Sequence, residues 1–320
     1  MMVLKKIGLY VLTFWVICSL DFALIHLMPG DALVHLLGEE GYASAMDPGA
    51  VAAMRAKFHL DGSLGQQYGR FLGRMVTGDW GWTFYYGRPV SRMVCQRLGW
   101  TLLLLGPSLV LSTLLGAVLG ALSGWYSHLK GERLLPAVFL FVYAIPGYCL
   151  GILLLALAAR TGLFPLGGMM PAGAGFWTTL RYLALPLFVL TLHGTAYKYM
   201  IMRNAVRQEL HLPYVATAMS KGLASGRILF FHILKNTLPP YVSVVALNLG
   251  FLVGGALLVE VVFSWQGMGT LIYQAVLSRD YPLLSGALMV LCLCVLLANL
   301  TADLVYAVSD PRIRKHSHGR

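Results

Sequence analysis

Six apolar runs follow one another along the chain, at 7–28, 100–125, 134–159, 182–202, 240–262 and 282–308, each separated by a polar stretch. The first holds 22 residues, enough to cross ~30 Å of hydrocarbon as a helix. Helices satisfy their own backbone hydrogen bonds in lipid, so the pattern predicts an all-α polytopic membrane protein with six transmembrane helices. The first run follows Lys5 and Lys6 and could be taken for a signal peptide. Its length, the lack of a small-x-small cleavage site and the continuation into Pro29-Gly30-Asp31 favour a retained span. Ile145-Pro146-Gly147 interrupts the third run and predicts a bend.

Two of the polar stretches are organised segments. The first, between runs one and two, predicts a helix over 48–59 and a turn at Leu60-Asp61-Gly62. A helical pattern follows through Gln67, Tyr68, Phe71, Leu72 and Met75. After it come an aromatic turn at Gly78-Asp79-Trp80-Gly81-Trp82 and a helix opening at Pro89-Val90 towards Arg97. Its aromatics and lack of low-complexity runs mark a folded insert rather than a linker. The second segment, between runs four and five, predicts a compact knob. Pro213 suits a first helical turn, Gly222 a C-terminal stop and Ser225 the cap of a second helix over 226–237. Pro239 and Pro240 are expected to close that helix. The domain reading is an N-terminal span at 1–30, an insert at 31–99 and a membrane core at 100–320 whose loop 204–237 carries the knob.

Composition agrees: 58% of residues are hydrophobic and 12% charged, about half the charged share of a soluble domain. Mean hydropathy is +0.71. The net charge of +11 is not a nucleic-acid signal here, because placement of Lys and Arg sets orientation in membrane proteins. With a cytoplasmic N-terminus, fourteen of the twenty-four lie in inner segments, three in short outer loops and seven in the long insert. Both termini and the knob are then expected in the cytoplasm and the insert outside. No internal repeat is visible, which weakens an inverted-repeat transporter. The five cysteines have no metal-ligand spacing and read as apolar fillers.

No G-x-x-x-x-G-K-[ST] occurs, so the chain is not expected to bind ATP through a P-loop. It has no H-E-x-x-H, no zinc spacing and no nucleophile elbow. His193 and Lys198 in the fourth run lie about 140° apart on a helix, and Lys198 is near enough to the end to snorkel. His193 and Asn248 are candidates for a translocation path, with helix packing as the alternative. Asp21 reads as a packing acid, and Gly250 and Gly254 as a site of close helix approach. In the knob, Tyr214, Val215, Ala218 and Met219 share one side of the short helix; a helix lying on the membrane surface would be the alternative to a partner-facing protrusion.

The run Tyr214-Val215-x-Thr217-Ala218-x-x-Lys221-Gly222-Leu223, with His232, Asn236, Leu238 and Pro240 after it, resembles the "EAA" loop of binding-protein-dependent ABC importer permeases. The dipeptide/oligopeptide/nickel family is the specific likeness. Pro29-Gly30-Asp31, Leu60-Asp61, Gln67-Tyr68, Gly78-Asp79-x-Gly81 and Pro89-Val90 fit it in order. So do Glu260-x-x-Phe263, Gly267-x-Gly269, Arg279-Asp280-Tyr281-Pro282, Asn299-Leu300-x-x-Asp303 and Asp310-Pro311-Arg312-Ile313-Arg314. The departures are Ala216 at the first acidic position of the loop, Gln266 for proline before Gly-x-Gly, and Ala32 after Asp31.

The resemblance implies a type I permease fold in the cell inner membrane and a transport subunit without its own ATPase site. It implies a second homologous permease subunit, two cytoplasmic ATPase subunits that bind ATP and Mg, and an external solute-binding protein. It implies no cofactor in this chain. Tyr214, Val215, Ala216, Thr217, Ala218, Lys221, Gly222 and Leu223 would couple to the ATPase. The substrate would be a peptide or a nickel or other metal chelate. An ion-coupled secondary transporter using Asp21, His193 or Asp303, and a membrane enzyme or scaffold, remain as alternatives.

Overall fold

The computed structural model describes residues 2–27, 62–167, 171, 173–247 and 249–309. The expected helix at 48–59, the Pro29-Gly30-Asp31 and Leu60-Asp61 motifs, Asn248 and the basic tail lie outside them. Among the described residues all regular structure is helical, apart from one β-bridge between Trp82 and Pro89. In chain order the helices are α1 (Met2–Leu27), α2 (Leu64–Thr77), α3 (Val90–Trp125), α4 (Leu134–Ala144), α5 (Gly147–Thr161), α6 (Phe176–Leu210) and α7 (Pro213–Ser220). Then follow α8 (Ser225–Arg227), α9 (Leu234–Leu247), α10 (Leu249–Val262), α11 (Met268–Leu277) and α12 (Tyr281–Ser309). A π-helical turn, Ile228–Ile233, joins α8 to α9.

Among the described residues, three helices are long and apolar enough to cross a membrane: α3, the run Ser225–Ala246 and the stretch Tyr281–Leu304 of α12. α4 and α5 make a fourth if they form one span; they are bent by 101° across the break before Gly147. The interruption expected at Pro146 is therefore a sharp corner.

Three local expectations change. The sequence pattern separates a helix of the insert, 89–97, from the second run, 100–125, yet α3 is continuous for 36 residues from Val90 to Trp125. A switch from polar to apolar side chains alters the solvent a helix prefers, not its backbone bonding, and Gly99 alone costs only about 1 kcal/mol. Pro239 and Pro240 lie inside α9 instead of ending a helix. Membrane helices tolerate such prolines where neighbouring groups satisfy the freed carbonyls, and α9 is held beyond them by buried Tyr241 and Val245. The polar stretch 263–281, which separates the fifth and sixth runs, is not a plain connection but contains α11.

The chain forms two compact units, one of 1–99 with 267–293 and the other of 100–266 with 294–320. In the first, α2 is opened by a capping box between Ser63 and Gln66, and Tyr68 of α2 meets Ser19 of α1 at 2.6 Å. Asp21 is buried and accepts a hydrogen bond from Ser285 of α12, consistent with its reading as a packing acid. Asp280 explains a whole motif. Its carboxylate accepts from the N–H of Leu283 at 3.3 Å, capping α12, and from the N–H of Tyr85 at 3.1 Å. Burial pushes this carboxyl up, opposed by its backbone N–H donors.

In the second unit α6 is the hub, packed by α4, α5, α7, α9 and α10. Gly116, Gly120 and Gly124 of α3 recur every fourth residue and lie directly on α6. A Cβ at Gly120 would sit 2.6 Å from the carbonyl oxygen of Tyr199 and 2.8 Å from Cβ of Met202. Sequence reasoning placed the close approach at Gly250 and Gly254; this one was legible as the same spacing in the second run.

Candidate coupling and translocation sites

The knob is built around α7. Pro213 opens it at the first turn, where a missing N–H has no cost. It closes with two bonds, from the N–H of Leu223 to the carbonyl of Ala218 at 3.3 Å and from Gly222 to Met219 at 2.9 Å. This is a Schellman closure, and it requires the left-handed Gly222 at φ +72°. The second helix starts differently from expectation: Ala224 holds the N-cap position, and Ser225 is the first helical residue with no side-chain cap bond.

The eight predicted coupling residues divide between two faces. Val215 and Ala218 are buried in a core with Ala121 of α3, Met202 and Val206 of α6, and Ile228, Leu229 and Ile233 of the π turn, while Tyr214 and Leu223 pack against it. Burying Val215 alone is worth about 1.5–3 kcal/mol. Ala216, Thr217, Lys221 and Gly222 face outward. Met219, expected on the same side as Val215 and Ala218, is 50% exposed. The π turn adds one residue to the helical repeat, so Ile228, Leu229 and Ile233 face the core while Phe230 and Phe231 stay exposed.

Glu209, absent from the sequence reading, pins the knob at both ends. Its carboxylate accepts from the hydroxyl of Tyr214 on α7 and from the side-chain amide of Asn236 on α9, the latter at 3.4 Å. Burial and the Glu209 carboxylate push the Tyr214 phenol up, so it remains a donor at neutral pH. The motif residues Tyr214 and Asn236 were the available signal, but their common partner lies outside the motif.

His193 is half-buried on α6, beside the corner between α4 and α5. Its ring stacks on Tyr143 of α4 at 6.0 Å, and Tyr143 stacks on Tyr197 at 5.7 Å. The Nδ1 atom of His193 is buried without a hydrogen-bond partner. Tyr197 lies four residues after His193, a spacing that could have flagged the ladder. Lys198 does not snorkel. It is buried, turned away from His193, and donates to the Ser112 hydroxyl of α3 at 2.6 Å. The glycines of α3 bring that helix close enough to cover it.

A second polar cluster joins three elements. Arg203 of α6 grips Glu132, in the 3₁₀ turn Lys130–Arg133 before α4, with Nη2 to Oε2 at 2.9 Å and Nε to Oε1 at 3.1 Å. Ser123 of α3 donates to Glu132 and meets the hydroxyl of Tyr199. Arg203 holds the Glu132 carboxyl below its ordinary range.

These features define a polytopic helical membrane protein that carries a preformed, partly exposed knob between two long helices. The family model of the binding-protein-dependent transport system inner membrane component matches residues 116–315. The chain is 34% identical over 299 residues to a putative peptide permease of Brucella ovis, covering 92% of this chain and 93% of that one. It is 33% identical over 338 aligned positions to the dipeptide transport system permease protein DppB of Haemophilus influenzae, covering 98% of each. With the oligopeptide transport system permease protein AppB of Bacillus subtilis it shares 32% over 305 positions, 93% of this chain and 94% of that one. The chain belongs to this family of inner membrane components. It is a multi-pass permease component of an ABC importer, a transport subunit without its own ATPase site that works with ATPase and binding-protein components.

Proposed function

We propose that the chain forms one half of the translocation path of a peptide importer, with α7 as the element that couples it to ATP hydrolysis. The observation that carries the reading is the closed knob, with Val215 and Ala218 in the same core as Ala121, Met202 and Val206. Peptide cargo is supported by the names of its relatives, the dipeptide permease of Haemophilus influenzae and the oligopeptide permease of Bacillus subtilis.

The full assembly pairs this chain with a second, homologous permease, two ATPase subunits that bind ATP and Mg, and an external solute-binding protein. Six spans of a type I permease place both termini and the knob in the cytoplasm and the insert 31–99 outside, as the fourteen-to-three division of basic residues favours. The insert then faces the binding protein. Ala216, Thr217, Lys221 and Gly222 lie in a groove of one ATPase, and Tyr214, Val215, Ala218 and Leu223 pass the displacement to α3 and α6. His193 and Asn248 line the path. ATP binding favours one of two conformations through differential contacts, and the permease makes and breaks no bonds.

The test is uptake of tritiated di- and tripeptides into proteoliposomes holding the complete assembly. Uptake is expected to require ATP, both ATPase subunits and the binding protein. Gly222→Val places a β-branched residue at φ +72°, and uptake should fall about tenfold with the complex still assembled. Normal uptake by that variant removes α7 as the lever. A cognate binding protein that retains no peptide, with no peptide uptake by the assembly, removes the substrate reading.

A further inference from the structure

The cluster of Glu132, Arg203, Ser123 and Tyr199 lies beside the knob's core but has no part in it. Arg203 directly follows Met202 and precedes Val206 by one turn, and both of these pack on α7. One turn before Arg203, on the same face of α6, the Tyr199 ring lies on Phe139 of α4 with centroids 4.4 Å apart. α4 continues to Tyr143, which stacks on His193. The turn carrying Glu132 runs straight into α4 at Leu134. Two routes therefore join the knob's supports to α4, one through the Tyr199 ring and one through the ion pair.

The pair is built for geometry. The guanidinium presents two parallel N–H groups to both carboxylate oxygens, a fork that fixes angle as well as distance. The side chains are 14% exposed for Arg203 and 9% for Glu132, so water competes little for either. Ser123 adds α3 to the joint through Glu132. A surface pair serving only solubility needs none of this.

We propose that Glu132 and Arg203 form a positioning clamp of the transport cycle, fastening the start of α4 to α3 and α6 so that displacement of α7 reaches the corner beside His193. This rests on the reading of α7 as the coupling element. With the clamp intact, α3, α4 and α6 move as one body. With it cut, α6 still follows α7, while the start of α4 lags.

The experiment uses the reconstituted complete assembly with a tritiated dipeptide as probe, and compares Glu132→Gln, Arg203→Gln and the double variant. Assembled complex, basal ATP hydrolysis and peptide taken up per ATP are measured on each. Assembly and basal hydrolysis should stay within about twofold, and uptake per ATP should fall about tenfold in each single variant and no further in the double. Unchanged uptake per ATP overturns the clamp. So does a double variant whose loss is the product of the single losses. Should Glu132→Gln and Arg203→Gln assemble poorly, Arg203→Lys decides, since it keeps the charge and loses the fork: reduced uptake per ATP supports the clamp and unchanged uptake overturns it. Gly222→Val run in parallel separates the two ideas. If it transports normally the lever reading fails, whereas the Glu132 and Arg203 variants report on the clamp alone.

Discussion

Glu209 shows how one side chain can set the stiffness of a functional element. α7 has only eight residues, too few to hold as a free helix in water. Its order comes from the buried pair Val215 and Ala218 and from the carboxylate that bridges Tyr214 and Asn236. Hydrogen bonds to a charged acceptor contribute about 1.5–3 kcal/mol. Glu209→Ala should therefore raise amide hydrogen exchange across 213–223 by about ten- to a hundredfold, with α4 and α5 unaffected. Exchange followed by mass spectrometry checks this, and unchanged protection of α7 would show that its apolar contacts suffice. Asp280 belongs to the same scale: one buried carboxylate caps α12 and ties down the turn at Tyr85.

Between elements, the decisive contact is α3 against α6. Gly116, Gly120 and Gly124 leave no room for a side chain, so the α6 backbone lies directly on α3. That approach buries Lys198 against Ser112 and brings Ser123 to Tyr199. Gly120→Ala must push the helices apart and should cost about 1–3 kcal/mol, read as a lower unfolding temperature of the purified permease. A methyl group at Gly106 of the same helix would meet nothing within 4 Å. Gly106→Ala is therefore the control and should be neutral or slightly stabilising, by about 0.5–1 kcal/mol. Equal effects of the two substitutions would remove the close contact as the cause. The corner at Pro146 is the opposite kind of feature, a local break: Ile145 is extended and Pro146 has no N–H to carry the helical ladder across it.

For the whole molecule, the proposed orientation rests on charge placement, and Cys95 offers a direct check. It is the exposed cysteine among the five, while Cys18 and Cys292 are buried. If the insert lies outside, a membrane-impermeant maleimide applied to intact spheroplasts should label the wild type, and Cys95→Ala should lose most of that signal. Labelling that needs lysed cells would reverse the orientation. At this scale the sequence spoke clearly through the apolar runs and the ordered motifs around them. It was silent on how 1–99 and 267–293 make one compact unit, because nothing local to either segment carries the shape of its distant partner.

The sequence by itself determined what depends on neighbours in the chain. Pro213 opens α7, Gly222 closes it and Pro146 breaks the third run, because each acts through the sterics of its own backbone. The helical class follows in the same way from long apolar runs that must satisfy their own hydrogen bonds in lipid. Tertiary structure decided what depends on residues far apart: the direction of Lys198, the bridge made by Glu209, the grip of Arg203 on Glu132 and the ladder of Tyr143, His193 and Tyr197. Each needs side chains from two or three helices at once, and their meeting is set by how closely α3 and α4 pack on α6. The knob was thus written locally, while what it packs against was written in the tertiary contacts.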